Sequence, residues 1–360
     1  MCRRLRRIGR RVLARTNAFI EALVRRDEIV GAVLYVEQGD SVLAHTAFGW
    51  ADREAGLKMR PGSIFRMRSM TKPLVGTAVL MLKEAGKVSI GDRIAQYLPA
   101  FDNPGKRDIS VYHLLTHTSG LTGSIYDTLG GTRFATLREA VDWIGREGPV
   151  AFSPGTSYLY SDPGSSTLGA LVSELAGMPA EDFIAQHILE PLEMRDSFLN
   201  LVPENDPRRY RVAATYHGKP GEWIKYWDNT QPQLLPFFRA SGGLYSTAAD
   251  YARFVKVMMR GGSYNGRAIL APETVALALQ RHTARVGRPE DTEADYQFYG
   301  LHWTVHADEY APVLAGAFGH GGSDGTIALA DPQRDLVVLF LTQSRGTETR
   351  RRVLQELLAN

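Results

Sequence analysis

Two hydrophobic periods divide the chain. From Ile29 onward apolar positions crowd Ala32 to Glu37 and alternate through Ser41 to Trp50, with Gly39-Asp40 between them, which predicts two strands joined by a tight hairpin turn. A continuous apolar run, Leu74 to Leu82, predicts a buried helix that Gly86 stops. Between about Asp108 and Arg239 helical spacings dominate, at Val111 to Leu115, Leu137 to Arg146, Ser165 to Ala176 and Glu181 to Ile188, separated by glycine and proline loops. Alternation returns at Val313 to Gly319, Thr326 to Ala330 and Leu336 to Thr342, with Asp331 to Arg334 as a turn, and a helix closes the chain over Glu348 to Leu358. Strands at both ends and helices between them predict a sheet domain formed by residues 28–107 and 240–360, with a helical lobe, 108–239, inserted. Residues 1–27 read as an Arg-rich helix or extension.

Composition adds limits. The 360 residues, 44% hydrophobic and 22% charged, suit a globular protein with a large core, and no stretch approaches the roughly 18 apolar residues of a membrane span. The single cysteine, Cys2, rules out an internal disulfide framework and any Cys-based zinc site. Arg3, Arg4, Arg6, Arg7, Arg10, Arg11 and Arg15 carry seven positive charges, so the net +3 less these seven leaves −4 on the rest of the chain. The body is not basic, and no nucleic-acid partner is expected. The Arg-rich start lacks the apolar core of a secretory signal, which predicts a cytoplasmic protein. It reads as a solvated helix extension, a weak membrane-surface contact, or the product of a start codon set too far upstream. The charge-dense loop Asp291 to Asp295, with Arg285 and Arg288 nearby, reads as solvated surface.

The chemistry begins at Ser69-Met70-Thr71-Lys72. Residues three apart on a helix share a face, so the Lys72 amine can reach the Ser69 hydroxyl. Pro73 is tolerated only in a first turn, which sets the helix start near Ser69 and leaves its backbone N–H open for an oxyanion. By spacing alone the same four residues also describe a serine cap followed by a solvated lysine. Two further segments stand out. Tyr158-Leu-Tyr160-Ser-Asp162 precedes an amphipathic helix, and a tyrosine beside an ammonium can accept a serine proton. Phe318-Gly-His320-Gly321-Gly322-Ser323-Asp-Gly325 is a glycine-rich turn whose N–H groups can approach a reacting carbonyl.

With these pieces, and with Leu82-Lys-Glu-Ala-Gly-Lys-Val88, His113-Leu-Leu-Thr-His-Thr-Ser-Gly-Leu121 and Ser241-Gly-Gly-Leu-Tyr-Ser-Thr-Ala-Ala-Asp250, the chain resembles the serine β-lactamases and penicillin-recognising enzymes over most of residues 30–345. The likeness is greatest to the branch holding class C β-lactamases, D-Ala-D-Ala carboxypeptidases and family VIII carboxylesterases. It implies an α/β fold, an antiparallel sheet flanked by helices with an inserted all-helical lobe. It implies Ser69 as acylated nucleophile, Lys72 as its activator, Tyr160 as proton shuttle, and the N–H groups of Ser69 and Ser323 as oxyanion hole. Asp162, His320, Gly321 and Gly322 fall at substrate-binding positions. No cofactor and no metal are implied, and the partner is a small-molecule ester or amide.

Two departures from the family pattern matter. Asp162 stands where the family's Tyr-x-Asn element has its amide, and an ionised carboxylate donates no hydrogen bond to an acylamino carbonyl. His320 stands where such β-lactamases carry the lysine of Lys-Thr-Gly, and a neutral imidazole holds a carboxylate only weakly. Both shift the expectation to a carboxylesterase. The alternatives are a β-lactamase, a D-amino-acid peptidase or D-Ala-D-Ala carboxypeptidase, and a penicillin-binding sensor without turnover.

Other signals read as bland. Gly321 to Gly325 spells G-x-S-x-G, but that nucleophile elbow needs a helix after its serine and a later histidine, whereas Thr326 to Ala330 reads as strand and no histidine follows His320. His113 and His117 lack the glutamate of a zinc helix and read as packing beneath the active-site lobe. The aromatics Tyr210, Tyr216, Trp223, Tyr226, Trp227, Phe237 and Phe238 either cap a core or wall an acyl pocket.

Overall fold

A computed structural model describes residues 7–123, 134–233, 235–283, 298–306 and 316–358. Arg3, Arg4 and Arg6, the loop 285–295 and the first residues of the strand expected at Val313 to Gly319 lie outside them. The chain runs through α1 (Arg10–Arg25), the hairpin β1 (Gly31–Gln38) and β2 (Ser41–Asp52), short β3 (Leu57–Lys58) and β4 (Phe65–Arg66), and a 3-10 turn, Arg68–Thr71, leading into α2 (Lys72–Glu84). Helices α3 (Val111–Leu115), α4 (Leu137–Glu147), α5 (Asp162–Ala176) and α6 (Ala180–Ile184) follow, then the hairpin β5 (Thr215–Lys219) and β6 (Glu222–Trp227). Next come β7 (Tyr245–Ser246), α7 (Ala248–Met259), the small hairpin β8 (Ser263–Tyr264) and β9 (Arg267–Ala268), and α8 (Pro272–Ala278). The chain ends in β10 (Phe298–Tyr299), β11 (Thr304–Val305), β12 (Phe318–Gly321), β13 (Ile327–Asp331), β14 (Leu336–Thr342) and α9 (Thr349–Leu358).

The termini close one eight-stranded antiparallel sheet, ordered β10-β11-β12-β13-β14-β1-β2-β3, in which Ala32 pairs with Thr342 and Leu34 with Phe340. Its centre is buried on both faces, which is why β1 and β14 read as apolar runs. Side chains alternate across the pleat. Ala32, Leu34, Val36, Val338 and Phe340 point to α1 and α9, against Ile20, Leu23, Val353 and Leu357. Val33, Tyr35, Val337, Leu339 and Leu341 join the larger core that runs through α2 and α7 into α4 and α5. Gly76 sits mid-helix in α2 because a β-carbon there would lie 2.8 Å from His302 Cβ, so the missing side chain lets α2 dock on the loop after β10.

The stretch 108–239 is not all-helical as expected. It contains the hairpin β5–β6, in which Trp223, Lys225 and Trp227 alternate and Trp223 and Trp227 are buried. The aromatics expected to cap a core or wall a pocket mostly cap: Tyr216 and Trp223 pack on Val30 and Trp50, Trp227 packs with Ile64, Phe198 and Tyr245, and Phe237 and Phe238 enter the main core. Tyr210 remains exposed.

Candidate active site

Ser69 lies on the 3-10 turn that opens α2, with Pro73 in the first helical turn as its fixed φ requires. The first bond within the turn runs from Met70 N–H to Met67 O (3.2 Å), so the Ser69 N–H precedes the ladder. Arg68, just before it, has a left-handed backbone (φ 53°), uncommon for a side-chain-bearing residue. Its buried guanidinium holds it there. Nε donates to Asp324 Oδ2 at 2.7 Å and Nη2 to the Tyr226 hydroxyl at 2.8 Å, and that hydroxyl donates to Asp324 Oδ1 at 3.1 Å. From the opposite side Thr71 Oγ1 accepts the Leu244 N–H (3.0 Å), and the Tyr251 hydroxyl donates to Met70 O (2.9 Å).

One wall of the serine site is charged. Lys72 is fully buried, and its Nζ donates to Asp162 Oδ1 (2.6 Å), to Ser241 O (3.1 Å) and to Ser69 Oγ (3.3 Å). Arg239 Nη2 donates to the other Asp162 oxygen at 3.0 Å. Asp162 is the first residue of α5, where a negative charge also suits the helix dipole. Burial alone would push the Lys72 amine down, but Tyr160 and Asp162 more than offset it and hold the amine above its usual range. Burial likewise opposes ionisation of Asp162, yet Lys72 and Arg239 keep its carboxyl below the ordinary range. Lys72 therefore meets the serine as an ammonium donor.

The other wall begins at Tyr160 and is backed by uncharged polar groups. Tyr160 is 41% exposed, and Lys72 Nζ lies 4.5 Å from the centre of its ring. Behind it the His117 ring lies 4.5 Å from Tyr160 and 4.7 Å from Tyr299, centre to centre. The Tyr299 hydroxyl sits 3.2 Å from His117 Nε2 and 2.9 Å from His320 Nε2. His302 Nδ1 donates to Lys72 O at 3.0 Å. Burial, with the Lys72 ammonium adding to it, drives His302 and His320 down to about 3 and His117 well below its usual value. All three are neutral imidazoles.

The glycine-rich turn closes over the serine turn. A β-carbon at Gly322 would lie 2.4 Å from Met67 O, so only glycine lets the two backbones meet. Gly322 N–H donates to Thr326 O (2.8 Å), and Ser323 is exposed at the tip. Here two expectations change. His320 is turned inward: it is 5% exposed, and both ring nitrogens are engaged, Nε2 at 2.9 Å from the Tyr299 hydroxyl and Nδ1 at 2.8 Å from Gly321 O. Asp162 is occupied by Lys72 and Arg239 and acts as the lysine's counter-ion. The structure brings Ser69, Lys72, Tyr160 and Asp162 together. The strand Ile327–Asp331 after the turn excludes the nucleophile elbow. His113 caps α3 through a reciprocal bond pair with Ser110, and His117 lies under Tyr160, so the two serve separate ends. Sequence reading missed Arg68, Arg239, Tyr299 and His302, and gave no role to Asp324, inside the quoted glycine-rich turn, or to Tyr226 beyond its place among the aromatics; nothing local marks the partners of these residues.

A large antiparallel sheet with helices on both faces, and a serine–lysine pair at the head of a buried helix, define a serine hydrolase. Residues 16–360 match the family model described as Beta-lactamase. The chain is 32% identical over 369 positions to "Esterase EstB" of Burkholderia gladioli, covering 92% of this chain and 90% of that protein. The chain belongs to the beta-lactamase family. Its fold is similar to that of "EstCE1, a hydrolase with promiscuous acyltransferase activity" (TM-score 0.81, 24% identity, 97% of each chain). It is also similar to a penicillin-binding protein homologue from Caulobacter crescentus (TM-score 0.79, 20% identity, 99% of each chain). Among the described residues no helix is long and apolar enough to cross a membrane.

Proposed function

We propose that the protein is a carboxylesterase that works through an acyl-enzyme on Ser69. Ser69 Oγ attacks the ester carbonyl carbon while its proton passes to the oxygen of Tyr160, acting as a phenolate base, because Lys72 is itself an ammonium that donates to Ser69 Oγ and has no lone pair to receive it. The N–H groups of Ser69 and Ser323 receive the oxyanion; losing one such donor typically costs about 2.7–4 kcal/mol of transition-state stabilisation. The C–O bond to the alcohol breaks, and the alcohol leaves with the proton from Tyr160; water then attacks the acyl carbon and gives a proton to Tyr160, the bond to Ser69 Oγ breaks, Ser69 takes that proton back, and the acid is released.

The observation that carries an ester over a β-lactam is the state of His320. It is neutral, buried and engaged at both nitrogens, so its position offers no cation to a substrate carboxylate. The name of the esterase relative points the same way. Hydrolysis of p-nitrophenyl butyrate by the wild type, falling by on the order of 10⁴-fold or more in Ser69→Ala, is the expected result. Faster cleavage of a chromogenic cephalosporin or a D-Ala-D-Ala peptide than of the ester would replace this reading with the lactamase or peptidase one. Fluorophosphonate labelling mapped to Ser323 in place of Ser69 would remove it.

A further inference from the structure

Five polar groups joined by four hydrogen bonds run behind Tyr160, and their direction can be read from the two ends. Ser161 N–H can only donate, and it meets His117 Nδ1 at 3.2 Å. His117 Nδ1 is therefore an acceptor, and a neutral ring must carry its proton on Nε2, facing the Tyr299 hydroxyl at 3.2 Å. At the far end Gly321 C=O can only accept, and it meets His320 Nδ1 at 2.8 Å. That nitrogen carries the proton, so His320 Nε2 accepts, and Tyr299 O–H at 2.9 Å must be its donor. Every bond then runs one way, from Ser161 N–H through His117, Tyr299 and His320 to Gly321 O. Nothing in the line is charged and nothing is left unpaired.

The two ends are attached to chemistry. Ser161 follows Tyr160 directly and caps α5, its Oγ accepting the Gly164 N–H at 2.9 Å. Gly321 ends β12 and leads into Gly322 and Ser323. The line therefore spans from the backbone beneath the proton-accepting tyrosine to the backbone of the oxyanion turn. We propose that Tyr299, at its midpoint, is a positioning residue that sets the spacing between Tyr160 and the Gly321–Ser323 turn through a one-directional hydrogen-bond line. This rests on the esterase reading only for what the spacing serves. The line itself is independent of the reaction.

Its test has two arms. In wild-type protein labelled with ¹⁵N-histidine, long-range ¹H–¹⁵N spectra at pH 7 should show His117 as the Nε2–H tautomer and His320 as the Nδ1–H tautomer. Either ring in the opposite tautomer, or protonated on both nitrogens, overturns the line. Tyr299→Phe keeps the ring and removes the one hydroxyl that joins the halves. It should lower kcat for p-nitrophenyl butyrate about ten- to a hundredfold with KM nearly unchanged, since misplaced groups act on the transition state. A folded Tyr299→Phe protein with wild-type kcat overturns the positioning role. If Ser69→Ala retains turnover while the tautomers are as stated, the esterase assignment fails and the line stands.

Discussion

The two walls of the serine site solve the problem of buried polarity in opposite ways. On the Lys72 side, charge is balanced by charge: one carboxylate, Asp162, is shared between an ammonium and a guanidinium. On the His117 side every group is neutral, and each donor has one acceptor. A buried ion pair tolerates small changes of distance but reacts strongly to loss of a partner. A neutral line has weaker links, but its geometry is specified bond by bond. The serine sits between a wall that fixes electrostatics and a wall that fixes position.

The largest break should come from Asp162→Asn. It strips Lys72 and Arg239 of their common counter-ion, and a broken buried pair costs on the order of 3 kcal/mol, the low end of the usual range because Asp162 is 30% exposed. Urea unfolding reads that loss. The same variant removes one of the groups that hold the Lys72 amine up, so the alkaline fall of kcat/KM should move to lower pH. A profile that stays in place would show that Lys72 does not depend on Asp162.

The walls should also separate in acid. His117, His302 and His320 have folded-state values depressed below the ordinary histidine range, as has His306 at about 4, so the unfolded chain binds more protons. Their contribution is complete above the unfolded value of about 6.5 and declines as pH falls towards 4. At pH 5 unfolding should take up about one proton per buried histidine, seen as a steep pH slope of the urea midpoint. The Asp162 contribution, with its carboxyl held low, is present above about 3.9 and is lost only below that. A midpoint flat between pH 6.5 and 5 would mean that the histidines are charged in the folded state.

The smallest effect is expected from Tyr226→Phe. It deletes a hydroxyl bonded to Arg68 and Asp324 while leaving their direct pair intact, for about 1–2 kcal/mol of stability and a modest loss of rate. A larger loss than in Asp162→Asn would reverse the ranking of the supports around Ser69.

What was legible follows from chain distance. Ser69 and Lys72 are one helical turn apart, so spacing made their contact readable, but the resemblance was needed to set it above a serine cap with a solvated lysine and to assign Tyr160. Long apolar strands such as β1 and β14 declared themselves, whereas β10 and β11, two residues each, carry no period to read. Arg68 and Asp324 are 256 residues apart, and Asp162 and Arg239 are 77 apart, so no local pattern could pair them. His320 was noticed but assigned outward, because a sequence does not show which face of a turn is buried. The hairpin β5–β6 is readable in principle, since Trp223, Lys225 and Trp227 alternate, but a cluster of aromatics fits a core cap or a pocket wall equally well.

The left-handed turn at Arg68 makes that position unforgiving in an unusual way. Glycine is the customary cure for such a backbone, and it would relieve about 1 kcal/mol of strain, but it would also abandon Asp324 in the interior without its cation, which costs several times more. Laboratory evolution for heat tolerance should therefore leave residue 68 untouched, and natural variation there should be confined to side chains that can reach across to the loop and grip it.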